Sequence, residues 1–222
     1  MRTYPLRQDL ARATVNGFVL PLGIEPDGAP PPEPGYSLSY QPGEEDEPDS
    51  YTFEIAASAN VLSALVDRLF GLFTGDVFGI VEVGSRDAYR AMDVLISDES
   101  LPLAAFLKTW KRYETLLLED GFIAAGVNAD EPFLEVFINH WKVVTVHAPL
   151  DMREEIEPIL AQFDLAEVIN IWPDLAESPE QAPGLRSIIA EPEANLPVTQ
   201  FDSFVRGLCR QWSRALDIDI DK

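Results

Sequence analysis

The sequence predicts an α+β protein made of two tandem repeats of one antiparallel-sheet unit, a pseudo-dimer within a single chain. Three observations predict it. Asn16-Gly17-Phe18-Val19 recurs as Asp120-Gly121-Phe122-Ile123, 104 positions later, each a turn signal feeding a β-prone run. At an offset of 91, Ile55 falls on Val146, Ala57 on Ala148, Asn60 on Asp151, Leu65 on Ile156, Leu69 on Leu160 and Leu72 on Phe163. At an offset of 95, Leu101-Pro102 falls on Leu196-Pro197. Proline in the first turn of a helix sacrifices no hydrogen bond, so both segments open helices.

Each copy reads helix, three strands, helix, two strands, helix. A short helix over 6–14 opens the first copy, with strands near 14–20, 36–41 and 51–57. Asn60 is the expected N-cap of a helix over 60–73, whose Leu62, Leu65, Leu69 and Leu72 share one face. Strands 77–83 and 91–97 follow, then a helix over 101–119 that ends one copy and begins the next. The second copy has strands near 121–127, 132–138 and 142–147, and a helix over 151–164 capped by Asp151. Strands 167–172 and 186–190 and a helix over 198–216 complete it. Short turns at 128–131 and 139–142 imply antiparallel hairpins. The changes of offset fall in loops, above all in a Pro/acid-rich insertion over 21–50 with eight prolines and the run Glu44-Glu45-Asp46-Glu47. The expected repeats are 1–110 and 111–222. Their boundary lies in or beside the shared helix, so they should fold as one body.

The junction Leu116-Leu117-Leu118-Glu119-Asp120-Gly121-Phe122 carries a resemblance to a known family. So do the passage Val146-His147-Ala148-Pro149-Leu150 and the segment Phe201-Asp202-Ser203-Phe204-Val205-Arg206-Gly207-Leu208-Cys209-Arg210-Gln211-Trp212. In element order the chain resembles the type III secretion chaperone fold, shared by secretion chaperones and YbjN-like proteins. The resemblance implies a non-enzymatic protein that holds extended segments of partner proteins on its sheet and helix surfaces. It departs from that pattern in being tandem, where typical members dimerise, and in the 21–50 insertion.

Composition narrows the partners. Residues 1–100 carry 17 acids and 6 bases, and residues 101–222 carry 21 and 10, so each half bears −11 of the formal −22. An acidic field over the whole surface repels phosphate backbones and anionic membranes, which argues against nucleic-acid and membrane partners. The excess of arginine over lysine also fits a salt-rich source. One cysteine, Cys209, makes no intrachain disulfide, which suits the cytoplasm, and the first residues lack a signal peptide's apolar core. The longest apolar stretch, 61–73, is interrupted by Asp67 and Arg68 and is too short for a membrane span.

No GxSxG, HExxH, P-loop or GxGxxG motif occurs, so the reading is non-enzymatic, with no catalytic, cofactor-binding or metal residues expected. His147 with Asp151 and Glu154 has the residue types of an acid–base or metal site. Asp151 as helix cap and Glu154 on a solvated face explain the two acids more simply. The tail Asp217-Ile218-Asp219-Ile220-Asp221 begins like a calcium loop but lacks the later glycine and glutamate. Aromatic residues supply the binding candidates: Trp141 in a turn and Trp172 before Pro173. Alternation through the 133–147 hairpin groups Phe137 with Val144 and Val146 on one face, and Leu134, Val136, Ile138 and Val143 on the other. The expected partner-binding residues are therefore Phe137, Trp141, Val144 and Trp172. The expected function is a cytoplasmic protein-binding module, chaperone-like or regulatory, monomeric or weakly dimeric, that takes a protein or peptide segment, with basic segments steered in by the charge. The alternative is an acidic immunity or inhibitor protein that mimics nucleic acid and neutralises a basic toxin or enzyme.

Overall fold

The computed structural model describes residues 7–25, 32–43, 48–84, 93–96, 100–172, 185–186 and 189. In chain order the elements are β1 (Thr14–Val15), β2 (Phe18–Val19), β3 (Ile24–Glu25), β4 (Gly35–Gln41), β5 (Ser50–Ala56), α1 (Ala59–Phe70), β6 (Asp76–Val83), β7 (Asp93–Ile96), β8 (Leu101–Pro102), α2 (Leu103–Glu119), β9 (Ile123–Asp130), β10 (Phe133–Ile138), β11 (Val144–Pro149), α3 (Arg153–Ala161) and β12 (Leu185–Arg186). A 3₁₀ turn, Leu150–Met152, leads into α3. The main sheet runs β4-β5-β11-β10-β9-β6-β7, with every neighbour antiparallel, and β8 adds to β6. This is an α+β architecture, and strands from both halves of the chain interleave in one sheet. The boundary expected at 110/111 falls inside α2.

Register explains the core. The pairings Val146↔Phe53, Val136↔Val146, Val136↔Val127 and Val81↔Ala125 place Phe53, Ile55, Val144, Val146, Leu134, Val136, Ile138, Ala125, Val127, Val77 and Val81 on one face. These residues belong to a single buried cluster with Leu62, Leu65 and Leu69 of α1, Phe106, Trp110 and Leu117 of α2, and Ile156 and Leu160 of α3. The helical spacings thus present one stripe each to the sheet, as their periodicity requires. Phe70 stands edge-on to Trp110 at 4.8 Å and to Phe106 at 5.5 Å, so aromatic contacts lock α1 to α2.

Several expectations are corrected. Residues 7–13 are not helical. The expected strand over 14–20 is instead a two-residue hairpin, β1–β2, turning at Asn16 (φ 53°) and Gly17 (φ 88°), outside the main sheet. Both turn residues occupy the left-handed region that an Asn-Gly pair tolerates best. Segment 167–172 contributes an isolated parallel bridge, Tyr36↔Glu167, rather than a strand, and the strand expected over 186–190 is the two-residue β12, paired with β3. Ser58, not Asn60, precedes α1, and its hydroxyl accepts the Val19 N–H at 3.1 Å instead of capping the helix. Asp151 lies within the 3₁₀ turn and does not cap α3. The helix expected over 198–216, Cys209 and the aspartate tail lie outside the described residues.

The β10–β11 hairpin corrects the face assignment. A turn of four residues, 139–142, inverts the parity of the strands it joins. The observed turn has three, 140–142, closed by the Asn139 N–H on the Val143 carbonyl at 3.0 Å, with Lys142 at φ 64°. Val144 and Val146 therefore face the helices with Val136 and Ile138, while Phe137 shares the opposite face with Thr145, His147 and Glu135. A change of one residue in a turn moves every side chain of the returning strand to the other side.

The C-terminus of α2 is a buried polar junction. Lys142, 3% exposed, sends its Nζ to the Leu117 carbonyl at 2.9 Å and to the Ile123 carbonyl. Glu119 accepts both Arg12 guanidinium nitrogens at 2.9 and 2.6 Å and the Leu22 N–H at 2.7 Å. Asp120 accepts the N–H groups of Phe122 and Ile189, each at 2.9 Å. A cation at carbonyls that the helix leaves unpaired satisfies both the hydrogen bonds and the helix dipole. The same junction fastens residues 12–23 to the body of the protein.

Candidate binding site

The sheet face away from the helices is mixed in character. It carries Thr52, Glu54, Thr145, His147, Glu135, Phe137, Asn128, Phe78, Ile80 and Glu82, by the same registers. His147 Nδ1 lies 2.9 Å from Thr52 Oγ1, and its Nε2 is 4.0 Å from Glu135. Asp151 and Glu154 stand exposed on the 3₁₀ turn and the first turn of α3, so the structure does not assemble the His147 trio. Glu82 is half-buried, and its carboxyl is pushed up by desolvation first and by the charge of Glu135 second. Its folded pKa therefore exceeds its unfolded one. The penalty is absent below the unfolded carboxyl pKa of about 4.3 and sets in as pH rises through the folded value. Glu82→Gln should accordingly raise the melting temperature at pH 7 and leave it unchanged near pH 4. An equal gain at both pH values would refute this account.

At one end of that face, strand ends converge on a groove. Phe133 opens β10 opposite Asp130, which closes β9, so the hairpin turns through Glu131 and Pro132 alone. Pro149 closes β11 opposite Ser50, which opens β5. Between them lies a groove of about 490 Å³ lined by Pro48, Asp49, Ser50, Asp130, Glu131, Pro132, Phe133 and Pro149. Alternation carries Phe133 outward on the last rung of its strand, where it remains 45% exposed. A second depression of about 340 Å³, on the helix side of the same turn, shares Asp130, Glu131 and Pro132 and adds Asp76, Leu134, Phe73 and Met152.

Among the described residues, every ionisable group lining the two depressions is a carboxylate. Asp49 is fixed in place: it accepts the Tyr40 hydroxyl and, at 3.0 Å, the Gly43 N–H. These hydrogen bonds, the tyrosine's first, hold its carboxyl below the usual range, so it carries its charge at neutral pH. Pro48, Pro132 and Pro149 have no N–H to offer. The groove therefore combines an apolar floor with fixed negative charge.

The four expected binding residues lie elsewhere, in separate places. Val144 is fully buried among the helices. Half-buried Trp141 packs on the small cluster of Phe18, Leu20 and Ile24, and half-buried Trp172 on Ala56, Val143 and Ile171. Half-buried Phe137 lies across Gly126 in the middle of the sheet. None lines the groove. The alternation of β10 does not single out Phe133, which shares its face with Glu135 and Phe137; the adjoining Glu131-Pro132 turn is the signal that the strand ends there.

No protein-family model matches the chain, and no curated protein or solved structure matches it either. Among the described residues no helix is long and apolar enough to cross a membrane.

Proposed function

We propose that this chain is a non-enzymatic, cytoplasmic protein-binding module, chaperone-like or regulatory in the manner of the secretion chaperones its element order resembles. The groove around half-exposed Phe133 is the observation that carries the reading. An aromatic ring left out of the core, among prolines and beside an open end of the sheet, has the anatomy of an anchor for a partner side chain.

The proposal includes an internal duplication. β5 and β11 pair antiparallel with Glu54 opposite Thr145, positions related by the offset of 91. β4 flanks β5 as β10 flanks β11, and α1 follows β5 as α3 follows β11. In strand order and register, a twofold axis through the Glu54–Thr145 pair would exchange these two hairpin–helix units. This supports one chain doing the work of a dimer, with β6 to β9 and the small N-terminal hairpin departing from the symmetry.

A photo-crosslinking amino acid at position 133 tests the binding reading in cells. It should trap a discrete protein partner, whereas the same probe at fully exposed Ile169 should not. Equal labelling from both positions would remove the support for the groove as the binding site. Phe133→Ser should abolish capture of the same protein partner by a probe at Ser50 while changing stability by less than about 1 kcal/mol, as expected at a half-exposed position.

A further inference from the structure

Resting on the groove's role as a binding site, we propose that its occupant is a short extended basic segment: an apolar side chain seated on Phe133, with an arginine or lysine within one or two positions meeting Asp49, Asp130 and Glu131. The side chains themselves select this chemistry. Phe133, Pro48, Pro132 and Pro149 form an apolar surface large enough for a side chain, and the groove of about 490 Å³ lies open beside it. The three carboxylates line that same space with no positive charge among the described lining residues, and Asp49 is held ionised by Tyr40 and Gly43. An apolar group alone would satisfy the floor and leave the carboxylates unmatched. A cation alone would satisfy the carboxylates and leave Phe133 in water. A segment carrying both satisfies the whole lining.

The backbone chemistry narrows the mode of binding. The strands that end at the groove, β5, β11, β10 and β9, are each paired on both sides, so the groove offers no free sheet edge to which a β-strand could add. Recognition therefore runs through side chains, and the segment needs an exposed anchor and a nearby cation rather than a long run of backbone pairing. The formal charge of −22 steers such a segment toward the protein, while the local carboxylates decide where it seats.

Fluorescence anisotropy on the full chain tests this with three short labelled peptides that share one central Leu-Phe pair and differ only in flanking residues: arginine, glutamine or glutamate. The arginine peptide should bind roughly tenfold more tightly than the glutamine peptide, and the glutamate peptide most weakly. The double variant Asp130→Asn with Glu131→Gln should erase most of the arginine preference and leave the glutamine peptide unchanged. Raising the salt should do the same, because exposed charge pairs are screened. Phe133→Ser should weaken all three peptides together. Equal binding of the arginine and glutamine peptides, with both still sensitive to Phe133→Ser, would overturn the basic-segment inference and leave the groove reading intact. An arginine preference that persists when Asp49→Asn is added to the double variant would also overturn it, by placing the cation elsewhere on the acidic surface. Binding of every peptide unaffected by Phe133→Ser would instead remove the groove itself. Circular dichroism of both variants, expected to match the parent, separates these outcomes from misfolding.

Discussion

Lys142→Met is expected to destabilise the protein by about 2–4 kcal/mol, read from urea denaturation followed by far-UV circular dichroism. Methionine keeps the length of the side chain and its apolar stem, so packing changes little. It removes the ammonium group that serves the Leu117 and Ile123 carbonyls at 3% exposure. Leu117 lies in the last turn of α2, where carbonyls have no helical partner. Ile123 lies beyond the last β9–β10 pair, Ile138↔Ala125, so its carbonyl has no ladder partner on that side. Both groups would be left buried. Relief of the lysine's own desolvation opposes this loss, because exchanging a buried charge for an apolar group is sometimes neutral. Here the carbonyls it served stay behind unsatisfied, and that loss should win. A change below about 0.5 kcal/mol would show that water replaces the ammonium group at no penalty.

Gly126→Ala should be at least as damaging, by about 3 kcal/mol, because the new methyl group meets main chain and not a movable side chain. A Cβ there would press on the Val136 carbonyl oxygen and lie 2.7 Å from the Phe137 Cα and 2.9 Å from its ring. Gly126 pairs directly with Phe137 in the middle of the sheet, so relief requires β9 and β10 to separate, against the ladders that hold both. Gly75→Ala is the control: nothing lies within 4 Å of its Cβ, and the change should be nearly neutral. Thermal denaturation of the two variants side by side decides the matter. Equal stability would mean that the strands yield locally, contrary to the close approach of Gly126 to Phe137.

Much of the fold was legible in the sequence because the helices and the central strands have strong apolar periodicity. Leu62, Leu65 and Leu69 could bury a stripe only as a helix, and the runs at β5, β9 and β10 could bury theirs only in a sheet. What failed was parity and partnership. A four-residue turn would place Val144 on the face of Phe137, and one residue fewer buries it completely. The segment at 14–20 has the residues of a strand, yet its Asn-Gly turn folds it back on itself and keeps it out of the sheet. Ser58 stands where Asn60 was expected because the chain enters α1 two residues earlier, and its hydroxyl is committed to Val19 in a distant segment.

By itself the sequence determined the α+β class, the approximate positions of the three described helices and of the central strands, and the net charge of −22, because periodicity and charge are local properties. Only the tertiary structure decided which strand ends meet. Pro48 and Asp49, Asp130 to Phe133, and Pro149 are separated by up to about a hundred positions of chain, and nothing in their local patterns links them. The antiparallel registers of β5 with β11 and of β10 with β9 bring them to one end of the sheet. Phe133 is exposed there because the strand stops, not because its own residue type favours the surface. The candidate site is thus a property of register, which depends on turn length and on long-range pairing that no single segment contains.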